Sequence, residues 1–346
     1  MASNAPAVPP KNRVRVDWLD LFRGAAVVAM IETHVVNTFL APGLREAAWF
    51  GWLNWCNGLV APAFLFIAGY AQGMSWRAST GKPVAFGRKA RRLLRIAALG
   101  YALHFPFVEI GRHRWADALG TGTQVDILQC LAAALLGVLG VQALTGVFAE
   151  KWRGVARWVV LLGLTVGTVW FAPRSANVDI APVPLGAFLN DHTGSLFPLF
   201  PWAAFVFCGA LAGALASRAA SWLLVAAGGV KGCAFLAGDG TFAALSPAFF
   251  GERLAWVLAL AVLGQWLARA WRPRGVLFAG RESLVMYAGH LLLIAWSVQA
   301  GVPRGGFGVA GAAMIFAGVL RVTFAVAFGK AKWSARTAAG AVSPAG

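Results

Sequence analysis

Stretches of about 20 mostly apolar residues recur along this chain, at 18–41, 55–76, 93–111, 125–147, 156–172, 197–216, 221–238, 252–269, 276–298 and 306–328. A helix of that length crosses the hydrocarbon of a bilayer and satisfies its backbone internally. The strands of a membrane barrel are shorter and alternate apolar with polar, whereas these runs are continuously apolar. The expected fold class is therefore all-α, a polytopic membrane helix bundle of about ten transmembrane helices. Composition agrees: 59% of the 346 residues are hydrophobic and 12% are charged, about half the charge share of a soluble domain.

A net charge of +17 raises nucleic acid as a partner, and the placement of the charge argues against it. The segment RASTGKPVAFGRKARRLLR (77–95) holds Arg77, Lys82, Arg88, Lys89, Arg91, Arg92 and Arg95 with no acid. Further basic groups sit in short connectors: KNRVR near the start, EKWRGVARW at 150–158, RAWRPR at 269–274 and GKAKWSAR near the end. Positive charge in short loops marks the cytoplasmic face. Both termini are accordingly expected in the cytoplasm, the location being a bacterial inner (plasma) membrane. Residues 1–16 form an expected cytoplasmic tail, 17–328 the transmembrane domain and 329–346 a second tail. The first sixteen residues lack the apolar core of a signal peptide, so the first span is expected to act as an uncleaved anchor. External loops are expected at 41–54, 112–124, 173–196, 239–251 and 299–305. The seventh run, with Lys231 and several glycines inside it, reads as a span that could be short, broken or re-entrant.

Cys56, Cys130, Cys208 and Cys233 lie in or beside apolar runs without pairing or metal spacing, and read as small buried hydrophobes. No HExxH, CxxC or Walker-type loop is present, so no metal is expected. No internal repeat is visible.

Ionisable groups within apolar runs are costly and are candidate functional residues by default. The first run reads DWLDLFRGAAVVAMIETHVVNTFL. Arg23 and His34 lie eleven residues apart, which places them on one helical face about 16 Å apart along the axis. Asp20 and Asn37 extend the stripe, and Glu32 falls on the opposite face, where it is expected to pair with another helix. An imidazole at that depth can serve as a general base, and an arginine near the surface can bind phosphate. The plainer alternative is a snorkelling Arg23 and a His34 hydrogen-bonded within the bundle. In the ninth run Ser283, Tyr287 and His290 occupy i, i+4 and i+7, again one face. The fourth run opens with Asp126 and Gln129 one turn apart, and the third contributes His104 before Phe105-Pro106. These groups either line a wet interior or join helices to one another.

The Arg23-Gly24 to His34 spacing resembles the Arg-x10-His signature of the transmembrane acyltransferase superfamily. VDWLDLFRGAAVVAMIETH, NGLVAPAFLFIAGYAQGMSW and VDILQCLA resemble successive blocks of its heparan-α-glucosaminide N-acetyltransferase-like branch, and LFPLFPWAAFVFCGALAG and GRESLVMYAGHLLLI are similar to later ones. The resemblance covers roughly residues 14–300. It implies transfer of an acetyl or other acyl group from cytoplasmic acyl-CoA to an amine or hydroxyl of a carbohydrate acceptor on the other side, with no metal. Arg23, Arg88, Arg91 and Arg92 would then hold the CoA phosphates. His34 would be the catalytic base or acyl carrier. Asn37, Asn57, Asp126, Gln129, Ser283, Tyr287 and His290 would contact the acceptor. Implied partners are the lipid bilayer, acetyl-CoA and the acceptor, with a homodimer left open. The branch carries His-x-x-Trp-x-Gly followed by Asp-Leu before its second span. Here REAAWFGWLNWCNGL keeps Trp49 and Gly51 but has Glu46 for the histidine and Asn57 near the aspartate, which moves the expected chemistry onto His34. The main alternative function is a transporter or flippase, with the glycine-broken seventh run around Lys231 as a discontinuous helix. A structural scaffold is the third.

Overall fold

The computed structural model describes residues 16–78, 85–176, 178, 183–192, 194–215, 226, 228, 229, 231 and 246–340. Among these residues the chain is helical and has no strand; one isolated bridge joins Leu40 to Phe307. In chain order the helices are α1 (Asp17–Phe39), α2 (Ala48–Asn57), α3 (Val60–Ala78), α4 (Phe86–Leu103), α5 (Phe107–Gly111), α6 (Trp115–Thr123) and α7 (Ile127–Leu144). They continue with α8 (Glu150–Ser175), α9 (Val183–Leu189), α10 (Leu199–Ala214), α11 (Pro247–Ala270), α12 (Arg274–Arg281), α13 (Ser283–Gln299) and α14 (Val309–Gly340).

Among the described residues five stretches are long and apolar enough to cross a membrane: Ala48–Trp76, Ile127–Val147, Glu150–Ser175, Pro247–Ala270 and Val309–Thr337. The pair α12 and α13, bent by 86°, would make a sixth. The expected count of about ten is not reached among the described residues, and the shortfall has physical causes. Helix α1 has 23 residues, but Arg23, Glu32, His34 and Asn37 dilute its hydropathy. Helix α4 spends its first half on Arg88, Lys89, Arg91, Arg92 and Arg95, and α10 has only 16 residues. The seventh run, 221–238, lies almost wholly outside the described residues, as do Cys233, Asp179, Lys82 and the tails at 1–15 and 341–346. Of that run, residues 226, 228, 229 and 231 are helical.

Several expected boundaries move. The third run is not one span: Pro106 disfavours helical backbone at Phe105, so α4 ends at Leu103 and a new short helix starts at Phe107. The ninth run is two helices, broken at Glu282 (φ −100°, ψ 23°). The loop expected at 41–54 contains α2, those at 112–124 and 173–196 contain α6 and α9, and the last helix runs on through the basic stretch expected as a tail.

The bundle is built on two very close helix crossings. Helices α3 and α10 meet through Gly69, Gly73, Gly209 and Gly213, where an added Cβ would lie 2.0–2.2 Å from a carbonyl oxygen of the facing helix. Helices α1 and α12 meet in the same way: a Cβ on Gly24 would sit 1.9 Å from Val276 O, and one on Gly280 would sit 1.9 Å from Asp20 O. In lipid, where burial of apolar surface brings no gain, such backbone proximity supplies packing that larger residues would prevent. Around these crossings lies the core, with Val27, Ile31 and Val35 of α1, Leu65 to Ile67 of α3 and Phe205 of α10 fully covered. Helices α8 and α14 are peripheral: 22% and 11% of their most apolar windows are buried, against 61% for α7. Their outward Leu162, Val166, Trp170, Val322, Val326 and Phe328 are suited to lipid tails.

Candidate active site

The two ends of α1 have different surroundings. At its start Asp20 forms an ion pair with Arg23 (3.6 Å) and another with Arg281 of α12 (3.2 Å), while Arg23 donates to Gly280 O (3.4 Å). Asp17 pairs with Arg272 at 3.2 Å and Glu282 with Lys330 at 2.7 Å. Arg92 of α4 lies within electrostatic range of Arg23, and Arg88, Arg91, Arg92 and Arg95 are all exposed. This end therefore presents more cations than the neighbouring carboxylates neutralise. We call it the arginine end. The structure gathers Arg23, Arg92 and Arg281 here; Arg281 was not among the sequence candidates, although it sits in the GRESL block quoted above.

About three turns along α1, His34 faces His290 of α13, with ring centroids 5.2 Å apart. His290 is fully buried. Its Nδ1 lies 2.9 Å from Met286 O, which assigns the ring proton to Nδ1. Its Nε2 is buried without a partner, and so offers a bare lone pair beside His34. Tyr287, one turn below His290, is 2% exposed and donates its hydroxyl to Asp126 Oδ2 at 2.8 Å. The same carboxylate oxygen is 3.5 Å from His104 Nε2, and His104 Nδ1 faces Gly100 O at 3.2 Å. Asp126 and His104 both lie within electrostatic range of His34. A contiguous polar group of His34, His290, Tyr287, Asp126 and His104 thus forms where α1, α4, α7 and α13 converge.

Local sequence explains why these groups meet. Asp126 is the N-cap of α7: its backbone is extended and Oδ1 accepts from Ile127 N at 2.7 Å, a role in which a carboxylate is favoured. The residue before it is clamped, because Val125 N donates to Ser195 Oγ (3.0 Å) and Val125 O accepts from Leu196 N and Phe197 N, each at 3.1 Å. His104 takes the position where Pro106 stops α4. The two helix ends therefore face each other and leave their polar side chains directed at α13.

The remaining candidates are placed elsewhere. Gln129 is 1% exposed and joins helices, its amide nitrogen donating to Asp126 O (3.3 Å) and its oxygen accepting from Tyr101 N (3.2 Å). It packs on Gly100, where a Cβ would lie 2.5 Å from the Gln129 side-chain amide. Asn57 hydrogen-bonds Glu32, so Glu32 does pair with another helix, and these two do not join the histidine group. Ser283 lies in the first turn of α13, one turn below Tyr287. Lys231 donates to Glu252 Oε1 at 3.4 Å. Asn37 lines an open cavity of about 650 Å³ together with Arg45, His104, Ile294, Val298 and Arg304. Asn37 is one turn from His34 and Ile294 one turn from His290, so the cavity lies near the histidine pair, although neither histidine lines it. Arg45 and Arg304 were not sequence candidates. Among the described residues no group of three His, Cys, Asp or Glu is arranged to hold a metal ion.

The apolar helices and the polar centre enclosed between them define a helical membrane protein with, among the described residues, five or six candidate spans and a buried histidine pair. Residues 15–237 match the family described as heparan-alpha-glucosaminide N-acetyltransferase, catalytic, and the chain belongs to that family. No curated protein matches it in sequence.

Proposed function

We infer that the protein is an acetyl-CoA-dependent transmembrane acetyltransferase that delivers the acetyl group to an amine or hydroxyl of a carbohydrate acceptor across the membrane. The family supports acetyl transfer. The observation that carries the reading is the His34–His290 pair, grouped with Tyr287, Asp126 and His104, the last of which lines a cavity large enough for a sugar. The arginine end is taken as cytoplasmic because its connectors hold the basic residues. Arg92 and its neighbours on α4, with Arg23 and Arg281, supply cations for the CoA phosphates. The extended arm of CoA then bridges the distance of about 16 Å along α1 that separates Arg23 from His34.

In the direct route His34 takes the proton of the acceptor N–H or O–H as that atom attacks the thioester carbonyl. The C–S bond breaks and CoA leaves as thiolate, carrying the electron pair of that bond. His290, its Nδ1–H held by Met286 O, turns a fixed Nε2 toward the reacting groups. Tyr287 and His104 hold the Asp126 carboxylate in place, where it stabilises positive charge developing on the imidazole. In the covalent route His34 itself attacks the thioester and carries the acetyl group to the acceptor. The test is transfer of label from acetyl-CoA to a panel of amino sugars and glycan hydroxyls in detergent, comparing wild type with His34→Ala at matched folding. Label that reaches an acceptor in the wild type only supports the reading. A burst of CoA release without acceptor selects the covalent route. A wild-type protein that neither binds acetyl-CoA nor releases CoA rules the reading out.

A further inference from the structure

The ends of α3 and α7 meet the start of α8 at a corner that the histidine site does not use. Trp18, at the start of α1, packs on Tyr70 of α3 with ring centroids 4.9 Å apart, so Trp76, farther along α3, lies toward the arginine end. Trp76 is buried, and Arg157 of α8 sits over its indole with Cζ 5.4 Å from the ring centroid. The same arginine donates from Nε to Oγ1 of Thr145, just past the end of α7, at 3.2 Å. Thr145 is itself fixed, buried and donating to Val141 O at 2.6 Å. One turn before Arg157, Arg153 donates from Nε to Phe148 O at 2.8 Å.

Both guanidiniums are thus anchored through Nε. Among the described residues neither makes an ion pair, and the Nη nitrogens of both carry no hydrogen bond. Glu150, the acid at the start of the same helix, is exposed. Arg153 lies within electrostatic range of Arg157, and two like charges so placed gain from an anion that both can reach. With Nε held, each fork is oriented for bidentate contact with phosphate oxygens. The surroundings are apolar and face outward: Leu144, Val147, Phe148, Val155 and Val159 are all exposed. A soluble polyanion would satisfy the arginines and leave these side chains in water. A phospholipid satisfies both, its phosphate meeting the cations and its acyl chains the apolar face.

We propose that the corner of α3, α7 and α8 is a binding site for an anionic phospholipid of the leaflet at the arginine end. Its phosphodiester lies between Arg153 and Arg157, and its acyl chains run along the outward face of α8. The inference is independent of the acetyltransferase reading.

Native mass spectrometry of the full chain tests it, after delipidation and incubation with equimolar dioleoyl phosphatidylglycerol and dioleoyl phosphatidylcholine. A basic residue near an anionic surface is worth about fivefold, so phosphatidylglycerol is expected to be retained about tenfold or more over phosphatidylcholine. Arg153→Ala combined with Arg157→Ala should abolish the preference. Arg157→Gln, which keeps a side chain over Trp76, should lower it about fivefold on its own and decides the matter if the double variant fails to fold. Lys332→Ala combined with Arg336→Ala, two exposed cations of α14, should leave it unchanged. Equal retention of the two lipids, or a preference that survives in the Arg157 variants, would overturn the proposal. So would an equal loss in the α14 variant, because the attraction would then belong to the whole basic face. Displacement of the lipid by millimolar inorganic phosphate or acetyl-CoA would make the corner an anion site open to solution, and would likewise overturn it.

Discussion

The two ends of α1 hold similar numbers of polar groups and treat them in opposite ways. At the arginine end Asp17, Asp20 and Glu282 all have cationic partners, and α1 and α12 touch backbone to backbone. At the histidine end the buried Nε2 of His290 is left bare. A buried polar group without a partner costs stability. Pairing at the arginine end makes a platform, with exposed α4 arginines left over for a polyanion. Incomplete pairing at the histidine end is what the proposed function uses as its reaction site.

Substitutions can break this contrast, and the largest effect is expected from His34→Ala. It should lower turnover by about 10²–10⁴-fold, the span attributed to a positioned acid–base group, while thermal unfolding in detergent stays near wild type. A fold that collapsed with the imidazole would make His34 a structural residue. Next, Gly280→Val should lower stability by about 1–3 kcal/mol or more, because its Cβ meets Asp20 O and backbone cannot yield as a side chain can. A melting temperature unchanged from wild type would deny the close α1–α12 crossing. Tyr287→Phe should reduce turnover by about tenfold, the worth of one hydrogen bond to a charged group, and leave the Km for acetyl-CoA alone. Arg92→Ala should do the reverse, raising the Km for acetyl-CoA a few-fold, more at low salt, with turnover intact. The smallest change is expected from Glu282→Gln at the Lys330 pair. That lysine is half exposed, so the loss should stay within about 1 kcal/mol.

Much of this was legible in the chain. The apolar runs located α1, α3, α7, α8, α10 and α11, because length and hydropathy alone set where lipid-facing helices can be. The eleven-residue spacing put Arg23 and His34 on one face, and Ser283, Tyr287 and His290 on another. What spacing within one helix cannot give is which face meets which. Asp126 read either as lining a wet interior or as joining helices; its partners Tyr287 and His104 lie on other helices, and its cap role depends on the turn clamped by Ser195. Gln129 read either as lining a wet interior or as joining helices, and it joins α7 to α4, packed on Gly100. The break at Glu282 left no mark in hydropathy, because both halves of the run are apolar enough to belong to a single span. Arg45 and Arg304 left no distinguishing signal, because Arg112, Arg114 and Arg174 also fall in connectors expected on the external side.

In the proposed function the donor binds at one end of α1 and the acceptor at the other, and the two meet at His34. Proteoliposomes of known orientation, given labelled acetyl-CoA on the side of the α4 arginines and an acceptor sugar only on the opposite side, separate this from transfer on one face. Acetylated sugar is expected on the far side, none when acetyl-CoA is moved to the sugar's side, and none with His34→Ala. Product formed only when both substrates share one side would refute transfer across the membrane.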